Sequence, residues 1–263
     1  MMAKSLKETS FHRQYNKPRR ITRTGKPQLD LAKKKDFEKV IWKMKLFANR
    51  IDAGKQLAAS LQNMSQNALV LAVPRGGVVV GFEIAHALNV PLDIIITKKI
   101  GAPENPELAI GAVAEDGTFL LDERLVAIMG VPQSYIKGEV ERQKTEIKRR
   151  LKTYRGDAPN PEIANREVIL VDDGVATGST LKAALRSLRT RGAKTVVVAV
   201  PVGPADTIIE LKKEADGVVC LLTPEPFYAI GEFYEDFEQT TDEEVIELLR
   251  RCRQELQGKA VTA

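Results

Sequence analysis

Two adjacent carboxylates and a loop rich in hydroxyl groups lie close together in the sequence. Asp172 and Asp173 follow an apolar run, and the loop after them contains Ala176, Thr177, Gly178, Ser179 and Thr180. Backbone N–H groups and hydroxyls at the start of a helix suit a phosphate monoester, and a glycine lets the backbone approach the anion. Carboxylates would repel a phosphate but suit the hydroxyls of a sugar, directly or through Mg²⁺. Together they predict a site for a phosphorylated sugar, although each half alone also fits an ordinary turn or helix cap.

A second candidate anion-binding loop lies earlier in the chain. Pro74, Arg75, Gly76 and Gly77 follow an apolar run at residues 68–73 and precede a helical pattern. Two glycines beside a cation can bind an anion through backbone N–H groups and the Arg75 guanidinium. A simple strand-to-helix turn would have the same composition, so this loop alone does not decide between the two interpretations.

The elements that carry these loops alternate between short apolar runs and longer helical periods. The apolar runs are typical of strands buried on both faces and occupy residues 68–73, 91–97, 167–171, 195–201 and 217–222. Helical periods occupy residues 46–61, 78–88, 131–154, 179–191, 205–215 and 242–256, and a turn signal at residues 115–117 predicts a hairpin of residues 108–114 and 118–121. This alternation predicts an α/β fold with three layers, a mostly parallel open sheet with helices on both faces. Ligands of such sheets bind beyond the carboxyl ends of the strands, where both candidate loops fall.

The composition narrows the classes of function. The chain has 263 residues, 43% of them apolar and 29% charged, an ordinary mix for a globular protein. No apolar run approaches the roughly 18 residues of a membrane span, and the first residues lack the apolar region of a secretory signal. Cys220 and Cys252 lie far apart and only two histidines occur, which argues against a disulfide scaffold, a structural zinc site and His-based catalysis. We therefore expect a protein of the reducing cytoplasm that has no contact with membranes.

The first 45 residues differ in charge from the rest of the chain. They hold 14 Lys and Arg against four Asp and Glu, whereas the remainder is mildly acidic. This segment is predicted to be a basic, largely disordered extension that precedes a domain at residues 46–263. Two roles stay open for it: a solubilising arm, or an arm that contacts nucleic acid or another polyanion.

The stretch from Val168 to Thr180 resembles the signature with which type I phosphoribosyltransferases bind 5-phosphoribosyl-1-pyrophosphate (PRPP). The resemblance implies that Asp172 and Asp173 act in catalysis and hold the ribose hydroxyls and Mg²⁺, and that residues 176–180 hold the 5-phosphate. It also implies that residues 75–77 bind the pyrophosphate, in a loop where the family often has a non-proline cis peptide. Stand-alone bacterial members are similar in the Pro-Arg-Gly-Gly, Asn-Pro-Glu-Leu-Ala-Ile-Gly-Ala-Val and Tyr-Glu-Asp-Phe stretches. One departure is Gly174, which stands where the family usually has an apolar residue and is expected to loosen the loop.

Three further features follow from the resemblance. Lys98 and Lys99 lie in a predicted loop after the second strand, where Lys98 would bind PRPP and Lys99 would act in catalysis on the departing pyrophosphate; adjacent loop lysines are also often merely solvated.

Residues 101–107 and the hairpin occupy the place of the family's flexible lid, which excludes water. Residues 223–240, called the hood below, are rich in aromatic side chains. We expect Phe227 or Tyr228 to stack on a base and the other aromatic residues to pack the C-terminal helix.

The function implied by the resemblance is a Mg²⁺-dependent transfer of phosphoribosyl from PRPP to a nitrogen acceptor, with pyrophosphate leaving. Ala176 stands where family members that use hypoxanthine, guanine or xanthine have an aspartate, so a 6-oxopurine acceptor is not expected. We also expect a homo-oligomer. Two alternatives stay open. One is a PRPP-sensing regulator whose basic extension contacts nucleic acid and which has little or no transferase activity; the other is a sugar-phosphate hydrolase or another α/β protein.

Overall fold

A computed structural model describes residues 47–262 of the chain. The predictions for the basic extension at residues 1–45 lie outside the described residues. The helices are α1 (Arg50–Ser60), α2 (Gly76–Leu88), α3 (Glu123–Ile128), α4 (Gln133–Arg155), α5 (Ser179–Thr190), α6 (Ala205–Glu214) and α7 (Asp242–Thr262). The strands are β1 (Leu69–Ala72), β2 (Leu92–Ile94), β3 (Thr97–Ala102), β4 (Asn105–Ala114), β5 (Phe119–Leu121), β6 (Glu167–Val171), β7 (Thr195–Val202) and β8 (Gly217–Leu222).

Five strands form a parallel sheet in the order β2-β1-β6-β7-β8. Successive side chains of a strand point to opposite faces. In β1 this places Val70 and Ala72 in one hydrophobic cluster with residues of α1, α2 and α7. Leu69 and Leu71 lie in a second cluster with residues of α5 and α6. The sheet therefore lies between two helical layers, which confirms the predicted α/β fold with three layers.

A second, antiparallel sheet has the order β3-β4-β5. The predicted hairpin is present as β4 and β5, joined by the turn at residues 115–118. The prediction of a loop at residues 97–101 is wrong, because this segment is part of β3 and pairs with β4. Lys98 lies opposite Val113 and Lys99 opposite Ala112. The apolar run at residues 91–97 accordingly splits between β2 and the first residue of β3.

Among the helices from residue 47 to residue 262, none combines the length and the hydropathy that a bilayer span requires. Cys220 and Cys252 are not joined by a disulfide, and burial raises the pKa of the Cys220 thiol to about 11.

Candidate active site

The glycine loop (residues 74–77) and the acid pair (Asp172 and Asp173) lie side by side because their strands are neighbours. β1 pairs with β6 in parallel register, with Ala72 opposite Val171. Just beyond this pair, the Val73 amide donates a hydrogen bond of 2.8 Å to the Val171 carbonyl oxygen. Both loops therefore leave the same carboxyl edge of the sheet at adjacent positions.

The glycine loop packs directly against the acid pair. A Cβ atom at Gly76 would lie 2.0 Å from Asp173 Oδ2, and one at Gly77 would lie 2.9 Å from the Asp172 Cα. Neither position has room for a side chain, so the approach of the two loops requires glycine. The peptide bond between Pro74 and Arg75 is cis, as the resemblance led us to expect.

Asp173 forms an ion pair with Arg50 of α1. Arg50 Nε donates to Asp173 Oδ2 at 2.8 Å, and Arg50 Nη1 donates to the Glu238 carbonyl oxygen at 2.7 Å. The guanidinium carbon also lies 3.8 Å from the centre of the Phe237 ring. The side chains of Arg50 and Asp173 are only 11% and 15% exposed, so water screens this pair weakly. Arg50 thus joins the acid pair to the hood.

Asp172 has less compensation for its charge. Its Oδ1 accepts a hydrogen bond of 2.9 Å from the backbone N–H of Asp173. Burial and, second, the neighbouring Asp173 carboxylate raise the pKa of Asp172 well above its ordinary value. Ionisation of Asp172 is therefore disfavoured in the protein alone, and a cation placed between the two carboxylates would stabilise the ionised form.

The phosphate loop (residues 176–180) leads into α5, and Ala176 and Thr177 at its start are exposed to solvent. Gly178 adopts a positive φ of 76°, and Ser179 and Thr180 begin the helix. The first turn of a helix leaves its N–H groups without partners inside the helix. The hydroxyls of Thr177 and Ser179 lie 3.1 Å apart, and the Thr207 hydroxyl donates to the Ala176 carbonyl oxygen at 2.7 Å. This loop has the N–H groups, hydroxyls and access that a phosphate requires.

Arg75 lines a cavity of about 280 Å³ beside the glycine loop and the start of α7; the other lining residues are Gln239, Thr240, Thr241, Asp242 and Glu243. Arg75 Nη1 lies 3.5 Å from Asp242 Oδ1. The Tyr154 hydroxyl donates to the same oxygen at 2.6 Å. This hydrogen bond and, to a lesser degree, the Arg75 charge lower the pKa of Asp242. In this structure the guanidinium of the glycine loop therefore faces a carboxylate.

Lys98 and Lys99 point to opposite faces of β3 because they are consecutive strand residues. Lys98 is half-buried, and its pKa is lowered by burial and then by Arg150 of α4. Lys99 is exposed and makes no hydrogen bond or ion pair within residues 47–262. A ligand on one face of the antiparallel sheet can therefore contact only one of the two lysines. In the predicted loop, both lysines could have contacted the same ligand.

The hood is an aromatic layer fastened to the chain just before α1. The Phe47 amide donates to the Phe233 carbonyl oxygen at 3.0 Å, and the Tyr234 ring lies 5.4 Å from that of Phe47. Phe227 stacks on Phe233 with ring centres 5.4 Å apart, whereas Tyr228 is 55% exposed. Of the two predicted base-stacking residues, Phe227 therefore packs within the hood and Tyr228 presents its ring to solvent.

Gly174 does not loosen the loop, contrary to the expectation from sequence. A Cβ atom at Gly174 would lie 2.5 Å from Ile230 Cγ2 and 3.2 Å from Val202 Cγ1. Ile230, at the start of a 3₁₀ turn in the hood (Ile230–Phe233), fills the space that an apolar side chain at position 174 would need. The apolar group is supplied by another part of the chain, and Gly174 is buried.

Sequence reasoning missed three residues that shape this site. Arg50, Tyr234 and Asp242 belong to none of the motifs. The Tyr234 hydroxyl donates to the Asp173 backbone carbonyl oxygen at 2.6 Å. Arg50 and Asp242 pair with Asp173 and Arg75, as described above. The one signal in the sequence was the Tyr-Glu-Asp-Phe stretch shared with similar proteins, which contains Tyr234 and was assigned no role.

The carboxylate oxygens of the acid pair suit a Mg²⁺ ion that is bound together with a ligand. The described residues contain no group of three or more His, Cys, Asp and Glu side chains arranged to hold a metal ion. Mg²⁺ is commonly held by one or two carboxylates together with ligand oxygens and water, and Asp172 and Asp173 supply that number of carboxylates.

Comparisons with known proteins agree with this geometry. The profile of the family described as "Phosphoribosyl transferase domain" matches residues 45–238, and the chain belongs to this family. A Mycobacterium tuberculosis protein named "Putative phosphoribosyl transferase" is 43% identical over 213 residues, which cover 81% of this chain and 48% of that protein. The chain thus spans about half the length of the curated relatives that it matches.

A crystal structure is also similar. The protein TT1426 from Thermus thermophilus is 41% identical, with a TM-score of 0.69, and the match covers 78% of this chain and 98% of that one. This member of the phosphoribosyl transferase family is therefore similar to the Thermus thermophilus protein in both sequence and fold.

Proposed function

We propose that the chain is a Mg²⁺-dependent phosphoribosyltransferase that binds PRPP and transfers its phosphoribosyl group to a nitrogen acceptor other than a 6-oxopurine. The observation that carries this proposal is the contact between the glycine loop and the acid pair, with Gly76 too close to Asp173 Oδ2 to allow a Cβ atom. A diphosphate bound by the glycine loop and a sugar bound by the acid pair would therefore be neighbours, as the two groups are in PRPP.

Each part of PRPP has a matching group in the site. The N–H groups and hydroxyls of Ala176, Thr177, Gly178, Ser179 and Thr180 receive the 5-phosphate, and Asp172 and Asp173 receive the ribose hydroxyls. Arg75, Gly76, Gly77 and Lys98 receive the pyrophosphate, with Lys99 as the second cationic candidate. Tyr228, whose ring is 55% exposed in the hood, is the candidate to stack on an acceptor base.

The reaction is a substitution at C1 of the ribose. The acceptor nitrogen forms the new C1–N bond with its lone pair, the C1–O bond breaks, and the electron pair leaves with the pyrophosphate. An N–H acceptor releases its proton to water. Asp172 and Asp173 would hold Mg²⁺, which would supply positive charge beside the leaving pyrophosphate. The protein's part is to orient PRPP, to oppose the charge of the leaving pyrophosphate with Arg75 and the lysine, and to keep water from C1.

A screen for pyrophosphate release from Mg-PRPP tests this proposal. Nucleobases and amines are offered one at a time, and the binding of PRPP itself is measured by calorimetry with and without Mg²⁺. We expect Mg²⁺-dependent binding and release with at least one nitrogen acceptor. Absence of PRPP binding would contradict the proposal and would favour a sugar-phosphate hydrolase.

The charge of residues 1–45 favours a second candidate, a PRPP-sensing regulator. Their 14 Lys and Arg would bind a polyanion such as nucleic acid through phosphate contacts that weaken as salt rises. Binding of PRPP without turnover, together with salt-sensitive retention on a polyanion column that is lost on deletion of residues 1–23, would favour this candidate over an enzyme.

A further inference from the structure

Arg50 neutralises one carboxylate of the acid pair although it belongs to neither ligand-binding loop. Its Nε lies 2.8 Å from Asp173 Oδ2, and its position depends on Gly76, where a Cβ atom would lie 2.6 Å from the same nitrogen. Arg50 therefore occupies the junction of the acid pair and the glycine loop, where the proposed function places Mg²⁺ and the ribose.

A divalent cation and the Arg50 guanidinium would compete for Asp173. A cation bound by both carboxylates would come within a few ångströms of the guanidinium, and like charges at that distance in a poorly hydrated site repel strongly. Binding of the cation therefore weakens or breaks the contact between Arg50 and Asp173 Oδ2. The ion pair therefore sets a cost for binding a cation here.

Arg50 is held in place by more than Asp173. Its Nη1 donates to the Glu238 carbonyl oxygen at 2.7 Å, and its guanidinium carbon lies 3.8 Å from the centre of the Phe237 ring. A free metal ion offers only its own charge in exchange for these contacts. A metal bound to PRPP also offers the contacts of the phosphates with the glycine loop and the phosphate loop, which can offset the loss.

We propose that Arg50 is a specificity-determining residue, an internal counterion that makes the acid pair select a metal–phosphate complex over a free divalent cation. The proposal rests on the proposed function only in taking Mg-PRPP as that complex. The exclusion of the free cation follows from the contacts of Arg50 and is tested without PRPP.

The test measures the binding of Mn²⁺, as a stand-in for Mg²⁺, to the full-length protein by electron paramagnetic resonance. Arg50→Met keeps an unbranched stem against Phe237 and removes the charge. We expect this variant to bind Mn²⁺ at least about tenfold more tightly than the wild type, which corresponds to about 1.4 kcal/mol. Arg50→Gln provides a second neutral variant if the methionine variant does not fold. Arg50→Lys keeps the charge and should bind Mn²⁺ within about threefold of the wild type, an estimate that allows for the loss of the guanidinium geometry.

Two controls separate this role from a structural one. In the Asp173→Asn background, Arg50→Met should change Mn²⁺ affinity by less than about twofold, because the carboxylate for which the two cations compete is gone. Arg189→Met removes a surface arginine that pairs with Asp216, at the amino end of the strands, and should leave Mn²⁺ affinity unchanged. Equal or weaker Mn²⁺ binding by the neutral Arg50 variants, even with a lowered melting temperature, would overturn the proposal. A wild type that fails to bind Mg-PRPP would contradict the proposed function and leave the Mn²⁺ result to decide on Arg50.

Discussion

The hydroxyl of Tyr234 donates a hydrogen bond of 2.6 Å to the backbone carbonyl oxygen of Asp173. Tyr234 is buried, and its ring packs between Phe47 and Phe237. Burial, followed by the Asp173 charge, raises the pKa of the Tyr234 hydroxyl, so it remains a proton donor at neutral pH. The hood is therefore attached to the backbone of the acid pair as well as to its side chain through Arg50.

Tyr234→Phe removes this hydrogen bond and leaves the ring packing in place. The Asp173 carbonyl oxygen would lose its partner, so we expect the free energy of unfolding to fall by about 1–3 kcal/mol. Urea unfolding measures this change, and Tyr228→Phe, at an exposed position in the same hood, is the matched stability control. An equal and small change in both variants would show that the hydrogen bond contributes little.

Gly174→Ala tests whether Ile230 fills the space beside the acid pair. The new methyl group would lie 2.5 Å from Ile230 Cγ2, and overpacking of this kind typically costs about 1–3 kcal/mol. Adding Ile230→Ala should restore part of the lost free energy of unfolding, because it removes the clashing atoms. Gly138→Ala in α4 meets nothing within 4 Å and should be neutral or slightly stabilising, as alanine favours a helix over glycine. A Gly174→Ala variant as stable as the wild type would contradict this packing.

The positions of the glycine loop and the phosphate loop were predictable from sequence because short local patterns define them. The acid pair lies directly after a buried strand, and the next helix begins at Ser179, so the whole pattern occupies a short stretch of sequence. Neighbouring parallel strands then bring such loops to the same edge of the sheet. Arg50 could not be found in this way, since 123 residues separate it from Asp173 and its role depends on how α1 packs. The same limit explains Lys99, because only the pairing of β3 with β4 shows that this residue lies on a strand.

Asp172→Asn should change stability in a way that depends on pH. The pKa of Asp172 is raised in the folded protein, so the carboxyl group ionises more readily in the unfolded chain. The free energy of unfolding therefore falls as the pH rises from about 4 through the raised pKa. At lower pH the group is protonated in both the folded and the unfolded protein. The asparagine variant should therefore melt at a higher temperature than the wild type at pH 8 and at the same temperature near pH 3. It should also lose Mg-PRPP binding. Asp173 is left intact because its carboxylate balances Arg50.

Thermal melts of the wild type and the variant from about pH 3 to pH 8 measure this effect. The two melting temperatures should differ only at pH values above the ordinary pKa of an aspartate. Asp157→Asn, at an exposed position after α4, is the control and should leave the melting temperature unchanged across the range. A lower melting temperature for Asp172→Asn at pH 8 would show that the carboxylate stabilises the fold, contrary to the burial argument.

The excluded acceptors follow from Ala176 in the phosphate loop. A 6-oxopurine gains from a protonating or hydrogen-bonding group that faces its imidazole edge, and general acid–base help of this kind is worth about 10²–10⁴-fold in rate. Ala176 has no such group, its neighbours Val175 and Thr177 supply no carboxylate, and its carbonyl oxygen already accepts a hydrogen bond from Thr207. Hypoxanthine, guanine and xanthine should therefore be very poor acceptors.

The measurement is the initial rate of pyrophosphate release from Mg-PRPP with each of the three oxopurines, beside the best acceptor from the general screen. Ala176→Asp is the matched variant, and we expect it to give no turnover with the oxopurines, because the hood must also recognise the base and its Phe227 face is already stacked on Phe233. Turnover above about 1 per second by the wild type, within the ordinary range of enzymes, would show that the argument from Ala176 is wrong. Rescue by Ala176→Asp alone would instead show that the hood sets no barrier and that one carboxylate decides the acceptor.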